Sequence, residues 1–262
     1  MLVSVPNVSE GRDIRKLDAI AAAFGPNLIH RSSDPDHHRA VFTLAGAPGD
    51  LHTAVLAGVK AAIARVDLTR HQGLHPRVGA VDVAPIVYLD EADKGAACAE
   101  ALVLADEIGQ LGVPVYLYGE LAGGRTRAEL RKPGGLNNFK PDFGPPSHPT
   151  AGATLVAARR PLIAFNVEID APLATAKRIA KFVRAELDVR ALGLQLSRVT
   201  QVSTNIEDHT KVTAAQVVEL VRRHATVTGA ELVAPAPRAA LANFPSDVPL
   251  RGPKPLEDHL TS

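Results

Sequence analysis

Apolar residues occur along the chain at two spacings, one typical of strands and one typical of helices. Short runs rich in valine and leucine predict strands in the first half at residues 2–8, 28–30, 40–44, 81–89 and 113–117. Apolar positions three or four residues apart predict helices at residues 13–24, 50–66 and 93–111. A polar turn is predicted over Arg31–Arg39. Strands that alternate with single helices indicate an α/β fold of the layered α+β kind.

The second half of the chain repeats this alternation after a long irregular stretch, Gly123–Ser147, that is rich in glycine. The predicted order is strand, helix, strand or hairpin, helix and strand, at residues 161–169, 172–187, 192–206, 213–221 and 231–234. We therefore predict two subdomains, 1–159 and 160–262, each a mixed sheet with helices on its outer face. Their open faces would lie opposite one another across a substrate cleft. The chain after Phe244 is predicted to be loosely held.

The composition excludes several classes of protein. Lys plus Arg number 29, Asp plus Glu number 28, and only 4% of residues are aromatic, so we expect neither nucleic acid nor membrane as a partner. No run approaches the roughly 18 apolar residues of a membrane-spanning helix, and the N-terminal stretch lacks the features of a signal peptide. The single cysteine, Cys98, cannot form an internal disulfide. We therefore expect a cytoplasmic protein.

The stretch Arg70–Asp82, with the sequence RHQGLHPRVGAVD, is the strongest candidate for chemistry. It lies between a predicted helix and a predicted strand, and functional residues often lie on such loops. Pro76 restricts the backbone of His75, which is thereby held in a constrained position beside Arg77. The alternative is a polar connector whose histidines cap a helix or face solvent.

A second candidate segment, DPDHHR, precedes a predicted strand and consists of Asp34, Pro35, Asp36, His37, His38 and Arg39. One interpretation is a metal site, which would need further ligands such as Asp82 and Asp90. The others are a solvated turn and a charged wall that orients a substrate. Nucleotide-binding and hydrolase motifs do not occur in the sequence.

A third candidate segment, Pro141–Gly152, has the proline and glycine density of a rigid loop. Such a loop serves either as a platform for a planar or anionic ligand or as an interdomain linker. If it is a platform, a bulky residue at Gly144 is expected to weaken ligand binding while leaving the melting temperature nearly unchanged.

Several blocks of the sequence occur in an order and spacing that match one family. They are VPNVSEG (Val5–Gly11), RHQGLHPRVGAVDVAPI (Arg70–Ile86), VPVYLYGE (Val113–Glu120), PDFGP (Pro141–Pro145), GAT with RRPLIAFNVEI (Gly152–Ile169) and QVSTN (Gln201–Asn205). Together they resemble glutamate formimidoyltransferase. The chain departs from that family in having His38 before Arg39, where Asn is usual, and in a segment after PDFGP that is one residue shorter.

The resemblance implies transfer of a formimino group from N-formimidoyl-L-glutamate to N5 of tetrahydrofolate, a co-substrate, in histidine degradation and one-carbon metabolism. It implies that His75 is the catalytic residue and that folate binds the loop after PDFGP. In this chain that loop consists of Gly144, Pro145, Pro146, Ser147, His148, Pro149, Thr150, Ala151 and Gly152. It further implies two facing α/β subdomains and a homodimer. We expect no cyclodeaminase domain in this chain, and a separate cyclodeaminase as a partner.

The expected chemistry suits a histidine, because N5 must lose a proton and the departing glutamate nitrogen must gain one. We expect His75 to carry out both transfers as general acid and base. Arg39 and Arg77 are expected to hold substrate carboxylates, with His38 and Asp36 beside them. No metal is expected, because the amidinium donor is already electrophilic.

Three points stay open. One alternative function is formyl transfer between 5-formyltetrahydrofolate and glutamate on the same fold, and another is folate binding without turnover. The carboxylate that orients His75 is not determined among Asp34, Asp36 and Asp82.

Overall fold

The computed structural model describes residues 1–74 and 76–260, so that His75 and the last two residues lie outside the described part. The chain divides into two compact units, the first spanning Met1–Arg159 and the second beginning at Arg160. One unit contains a seven-stranded sheet and the other a five-stranded sheet, and helices flank both. The fold is therefore mixed α/β with two separate sheets, as the alternation of strands and helices predicted.

Seven strands and four α-helices lie within the described residues of the first unit. The strands are β1 (Leu2–Ser4), β2 (Asn7–Val8), β3 (Leu28–Asp34), β4 (Arg39–Gly46), β5 (Val81–Tyr88), β6 (Val115–Leu117) and β7 (Thr154–Arg159). The helices are α1 (Ile14–Phe24), α2 (Leu51–Ile63), α3 (Lys94–Gln110) and α4 (Arg127–Arg131).

In the first sheet, β1 and β2 lie end to end between β4 and β5 and pair antiparallel with both. The strand β3 pairs with the outer side of β4, and β7 and β6 extend the sheet beyond β5 in parallel. The chain thus enters β4 from one hairpin turn, residues 35–38, and enters β5 from the loop after residue 70. Both of these connections carry candidate site residues.

The two faces of the first sheet are covered differently. Ala84, Ile86 and Tyr88 of β5 belong to the large apolar core that includes α1, α2 and α3. Val83 belongs instead to a smaller apolar cluster with Leu130 of α4. Because successive side chains of a strand point to opposite faces, the three long helices cover one face and α4 packs on the other.

The second unit contains β8 (Ile163–Asp170), α5 (Leu173–Leu187), β9 (Arg190–Gln195), β10 (Thr200–Ile206), α6 (Ala214–Arg222), β11 (Thr226–Leu232), β12 (Leu250–Arg251) and α7 (Leu256–Leu260). Its strand order is β12-β11-β8-β10-β9, in which β11 and β12 pair in parallel and the other neighbouring strands pair antiparallel. The helices α5 and α6 pack on this sheet around buried residues such as Phe165 and Val202.

Local signals in the sequence predicted several element boundaries correctly. The Asp13 side chain accepts hydrogen bonds from Arg15 N at 3.0 Å and Lys16 N at 3.2 Å, which caps α1. Thr213 and Gln216 form a capping box at the start of α6. The run 192–206 is a hairpin of β9 and β10 rather than one long strand.

Other predicted boundaries are wrong. The turn predicted over Arg31–Arg39 is confined to residues 35–38, because β3 continues to Asp34 as an edge strand whose side chains need not be apolar. The chain after Phe244 is not loosely held. Leu250–Arg251 pairs with β11, and Leu256 is buried. A two-residue strand and a single buried leucine do not produce a periodic apolar pattern, so the sequence carries no signal that this stretch is ordered.

None of the helices within residues 1–74 and 76–260 combines the length and the apolar character that crossing a membrane requires. Within the same residues, no three His, Cys, Asp or Glu side chains are grouped closely enough to hold a metal ion. Asp90, a ligand in the metal interpretation, accepts a hydrogen bond from Ala92 N at 2.9 Å.

Candidate active site

The fold brings together two of the segments that the sequence analysis selected, the loop before β5 and the segment 144–152. Backbone hydrogen bonds join them at both ends of the loop: Leu68 N to Thr150 O at 2.9 Å, Ala80 N to Ala151 O at 2.8 Å and Ala153 N to Val78 O at 2.9 Å. His75, the predicted catalytic residue, belongs to this loop in sequence but lies outside the described residues. The loop that contains it is thus anchored on the predicted folate-binding segment.

Two glycines allow this close approach. A Cβ atom on Gly79 would overlap the carbonyl oxygen of Ala153, and one on Gly152 would overlap that of Val78. Gly152 also has a φ of 65°, a conformation that other residues rarely adopt. Glycine is therefore required at both positions where the segments cross.

The segment 144–152 is internally ordered. The ring nitrogen Nδ1 of His148 accepts hydrogen bonds from Thr150 N at 3.2 Å and Ala151 N at 2.9 Å. Pro146, Ser147 and Pro149 are exposed. The segment thus has a fixed backbone and an accessible outer surface, as a ligand platform requires.

The expectation that a bulky residue at Gly144 would leave the melting temperature unchanged is wrong. Gly144 has a φ of 78°, and an added Cβ would overlap the carbonyl oxygen of Val113. A substitution there would therefore strain the backbone next to β6. Ser147, whose side chain is exposed, is the suitable position for testing the surface of this segment.

Asp82, the carboxylate at the start of β5, interacts with three arginines, and a fourth interacts with one of these three. Asp82 is 1% exposed, accepts a hydrogen bond from Val78 N at 2.8 Å and forms an ion pair with Arg131 of α4. Arg39, Arg77 and Arg127 also lie within electrostatic range of Asp82 or of one another. This part of the first unit therefore concentrates guanidinium groups of the kind that bind carboxylates.

Burial lowers the proton affinity of Arg39 and Arg77 without neutralising either. It lowers the pKa of Arg39 to about 10; attraction to Asp82 opposes this, and repulsion from Arg131 adds to it. Burial also lowers the pKa of Arg77, again against the attraction of Asp82. Arg77 donates hydrogen bonds to His71 O at 2.9 Å and Gly73 O at 3.1 Å, so it supports the backbone of its own loop.

Glu10 provides a second buried carboxylate, held by backbone groups after β2. Its Oε1 atom accepts hydrogen bonds from Gly11 N at 2.9 Å, Arg12 N at 2.9 Å and Asp13 N at 3.1 Å. Burial alone would raise the pKa of Glu10, but the hydrogen bonds from Arg12, Asp13 and His38 outweigh it and lower the pKa. Glu10 is therefore ionised at neutral pH.

The turn at residues 35–38 holds the segment 71–74 that precedes His75. His71 Nε2 lies 3.0 Å from His38 O, and Leu74 N donates to Asp36 O at 3.3 Å. The rings of His38 and His71 stack with their centroids 4.0 Å apart. A Cβ on Gly73 would lie only 2.6 Å from His37 O. The hairpin turn and the loop are thus in close contact.

The structure places the predicted site residues Asp36, His38, Arg39 and Arg77 in one region of the first unit, beside the loop before β5 or the Asp82 carboxylate. Sequence analysis missed Glu10, Arg127 and Arg131. The pair Arg127 and Arg131 could have been found, because arginines four residues apart after the Thr126–Glu129 capping box lie on one side of a short helix. Glu10 carried no comparable signal.

The stability of this region is expected to depend on pH through His71. Burial first, and then the charge of Arg77, lowers the pKa of His71 below its ordinary value of about 6.5. Below that value the unfolded chain binds more protons than the folded one, so the free energy of unfolding falls as the pH is lowered. Urea unfolding between pH 7.5 and pH 5.5 should show a smaller fall for His71→Asn than for the wild type or for His209→Asn. Equal falls for all three proteins would contradict this.

Comparison with known proteins gives consistent matches. The family model described as formiminotransferase domain, N-terminal subdomain, matches residues 1–159. The chain is 34% identical over 266 residues to the glutamate formimidoyltransferase of Streptococcus pyogenes serotype M1, covering 90% of this chain and 89% of that protein. It is 34% identical over 267 residues to that of Thermoplasma acidophilum, covering 90% and 88%. It is also 35% identical over 274 residues to the formimidoyltransferase-cyclodeaminase of Sus scrofa, covering 90% of this chain and 50% of that protein.

Proposed function

Because the chain belongs to the formiminotransferase family and is a transferase, we propose that it moves the formimidoyl group of N-formimidoyl-L-glutamate to N5 of tetrahydrofolate. The observation that carries the proposal is the joining of the loop before β5 to the segment 144–152 beside the arginines around Asp82. A group-transfer site needs two substrates held close together, and these two segments are held together by backbone hydrogen bonds.

The proposed reaction begins when N5 attacks the amidine carbon and forms a new carbon–nitrogen bond. The tetrahedral intermediate then loses the bond between this carbon and the glutamate nitrogen. In this scheme His75 accepts the proton that N5 releases and returns it to the departing glutamate nitrogen, so the enzyme ends in its starting state. Tetrahydrofolate is thus a co-substrate, and no metal takes part in these steps.

In this proposal the arginines bind the negative ends of the substrates. Arg39 and Arg77 hold the glutamate carboxylates, and His38 and Asp36 border the same space. Arg127 and Arg131 of α4 extend the positive region around Asp82 and are added to the set that the sequence suggested. Guanidinium groups favour carboxylates because their paired N–H donors match two carboxylate oxygens.

The segment Gly144–Gly152 is the proposed folate platform. Its fixed backbone and exposed outer residues support this role, as does its connection to the loop that contains His75. We further propose that the unit beginning at Arg160 is the C-terminal subdomain of the same family, that the protein works in the cytoplasm as a homodimer, and that a separate cyclodeaminase uses its product.

The direct test is incubation with tetrahydrofolate and N-formimidoyl-L-glutamate. The proposal requires release of glutamate together with the absorbance change of the transferred product. A parallel reaction with 5-formyltetrahydrofolate and glutamate tests the formyl alternative. If the protein binds folate but catalyses neither reaction, it is a folate-binding protein and the proposed transfer is contradicted.

Ser147→Trp is expected to weaken folate binding without lowering the stability of the free protein, because the Ser147 side chain is exposed on the proposed platform. A tenfold loss of affinity removes about 1.4 kcal/mol of the protection that saturating folate provides. Thermal unfolding with and without tetrahydrofolate measures both quantities. Ser246→Trp, at another exposed serine in the second unit, is the matched control. Unchanged protection in Ser147→Trp would mean that folate binds elsewhere.

A further inference from the structure

We propose that His38 is held as a doubly protonated imidazolium and acts as a positioning residue, which joins the Glu10 carboxylate to the backbone of segment 71–74. The inference rests on three side chains and one backbone carbonyl, namely Glu10, His38, His71 and the carbonyl of Gln72. It depends on the proposed function only where activity is the measured quantity.

Both ring nitrogens of His38 face groups that can only accept a hydrogen bond. The Nδ1 atom lies 2.9 Å from the carbonyl oxygen of Gln72, which has no proton to donate. The Nε2 atom lies 3.0 Å from Oε1 of Glu10. That oxygen already accepts hydrogen bonds from three backbone N–H groups, so a proton on Oε1 would collide with theirs. Both His38 nitrogens must therefore donate.

A neutral His38 would not satisfy this geometry. With a proton on only one nitrogen, the other would direct its lone pair at the oxygen of Gln72 or Glu10. Turning the ring by half a revolution would place carbon atoms where both nitrogens now lie and would lose both hydrogen bonds. The imidazolium satisfies both acceptors at once, and its charge is matched by the ionised Glu10.

The surrounding charges and the stacked ring are compatible with a cation at His38. Glu10 is also approached by Lys16, whose Nζ atom lies 3.7 Å from Oε2, so the carboxylate lies between two positive groups. His71 must donate from Nε2 to the carbonyl oxygen of His38, and among the described residues its buried Nδ1 atom has no hydrogen-bond partner. His71 is thus neutral. Its backbone oxygen accepts a hydrogen bond from Arg77. One charged ring stacks on one uncharged ring.

This arrangement makes the position of segment 71–74 depend on the proton count of His38. The His38 ring is hydrogen-bonded to the carbonyl oxygen of Gln72, and the carbonyl oxygen of His38 is hydrogen-bonded to the His71 ring. Gly73, the next residue along the chain, has no room for a side chain against the backbone of His37. Loss of one His38 proton would replace an attraction with a repulsion at Gln72 or at Glu10, and the segment that leads to His75 would shift.

The test is nuclear magnetic resonance of the full chain with nitrogen-15 in its histidines at pH 7, with His38 assigned by the signals lost in His38→Gln. We expect proton-bearing signals for both His38 nitrogens in the wild type and one bare nitrogen in Glu10→Gln. Gln72→Ala is the matched control, because it keeps the carbonyl, and its spectrum should equal that of the wild type. A bare His38 nitrogen in the wild type overturns the proposal, whether or not the variants fold.

Kinetics test the positioning role. His38→Gln and Glu10→Gln should each lower kcat by roughly 10- to 100-fold with a smaller change in KM, since misplacement of about 1 Å near reacting groups has effects of this size. The double variant should lose no more than either single variant. Unchanged kcat in both variants, with both protons present on wild-type His38, would overturn the positioning role. Absence of formimidoyl transfer in the wild type would contradict the proposed function alone, because the spectra still decide the protonation state.

Discussion

Replacing His75 by alanine is expected to lower turnover by about 10²–10⁴-fold, the usual contribution of a well-placed general acid and base. Binding of tetrahydrofolate should change far less, because the lost proton transfers matter in the transition state rather than in the ground state. Steady-state kinetics and folate titration on the same preparation separate the two quantities. The resemblance to the family assigns this role to His75, and the anchoring of its loop on segment 144–152 is consistent with it.

Two further histidine variants make the His75 experiment specific. His71→Ala should act mainly on stability or apparent affinity, because His71 bonds the backbone of His38 and stacks on its ring. His209→Ala, in the second unit, should leave both kinetics and folate binding as they are in the wild type. Near-normal turnover in His75→Ala would show that the proton transfers belong to another group.

Asp82→Asn is expected to reduce the free energy of unfolding by about 3–5 kcal/mol, as removal of one partner from a buried ion pair usually does. Asn has nearly the same shape, so the hydrogen bond from Val78 can persist. The charge that balances Arg131, Arg39 and Arg77 is lost, however, and these guanidinium groups remain half-buried. Urea unfolding of the variant and the wild type at neutral pH gives the difference.

A surface ion pair provides the control for Asp82→Asn. Asp18 pairs with Arg31 at 2.7 Å, but its side chain is 61% exposed, so Asp18→Asn should cost less than about 1 kcal/mol. Adding Arg131→Met to Asp82→Asn should recover part of the loss, because it removes one of the charges left unbalanced. If Asp82→Asn costs no more than Asp18→Asn, Asp82 does not balance the arginine cluster.

The sequence was sufficient to predict those parts of the fold in which the interacting residues are close together along the chain. Asp13 and Thr213 cap their helices through residues two or three positions away, and apolar periodicity located most of the helices and strands. The helix predicted over residues 50–66 begins with Asp50, a residue type that often caps helices, yet the Asp50 side chain makes no cap. Glu100 of α3 accepts hydrogen bonds from the backbone of His52 and Gly49 instead. No local pattern shows a cap that comes from a helix some fifty residues later.

The same distinction applies to the candidate site. Arg39, Arg77 and the two loops could be selected because proline, glycine and charge are concentrated there in sequence. The importance of Glu10 depends on His38, which is 28 residues away, and that of Arg131 depends on Asp82, which is 49 residues away. The first pair forms only when β2 and β4 become neighbours, and the second only when α4 packs on β5. Sequence alone therefore indicated the region without indicating which charges contact one another.

The crossing at Gly79 and Gly152 has a consequence for how the first unit opens. The amides of Leu68, Ala80 and Ala153 are all bonded across this junction, so they should exchange with solvent deuterium at similar rates, as members of one opening unit. A ligand that holds segment 144–152 then slows exchange in the neighbouring loop as well. By thermodynamic reciprocity, the factor by which a ligand on the segment raises the affinity of the loop for a second ligand equals the factor in the opposite direction. Two ligands held one by each segment would therefore bind cooperatively even without touching each other.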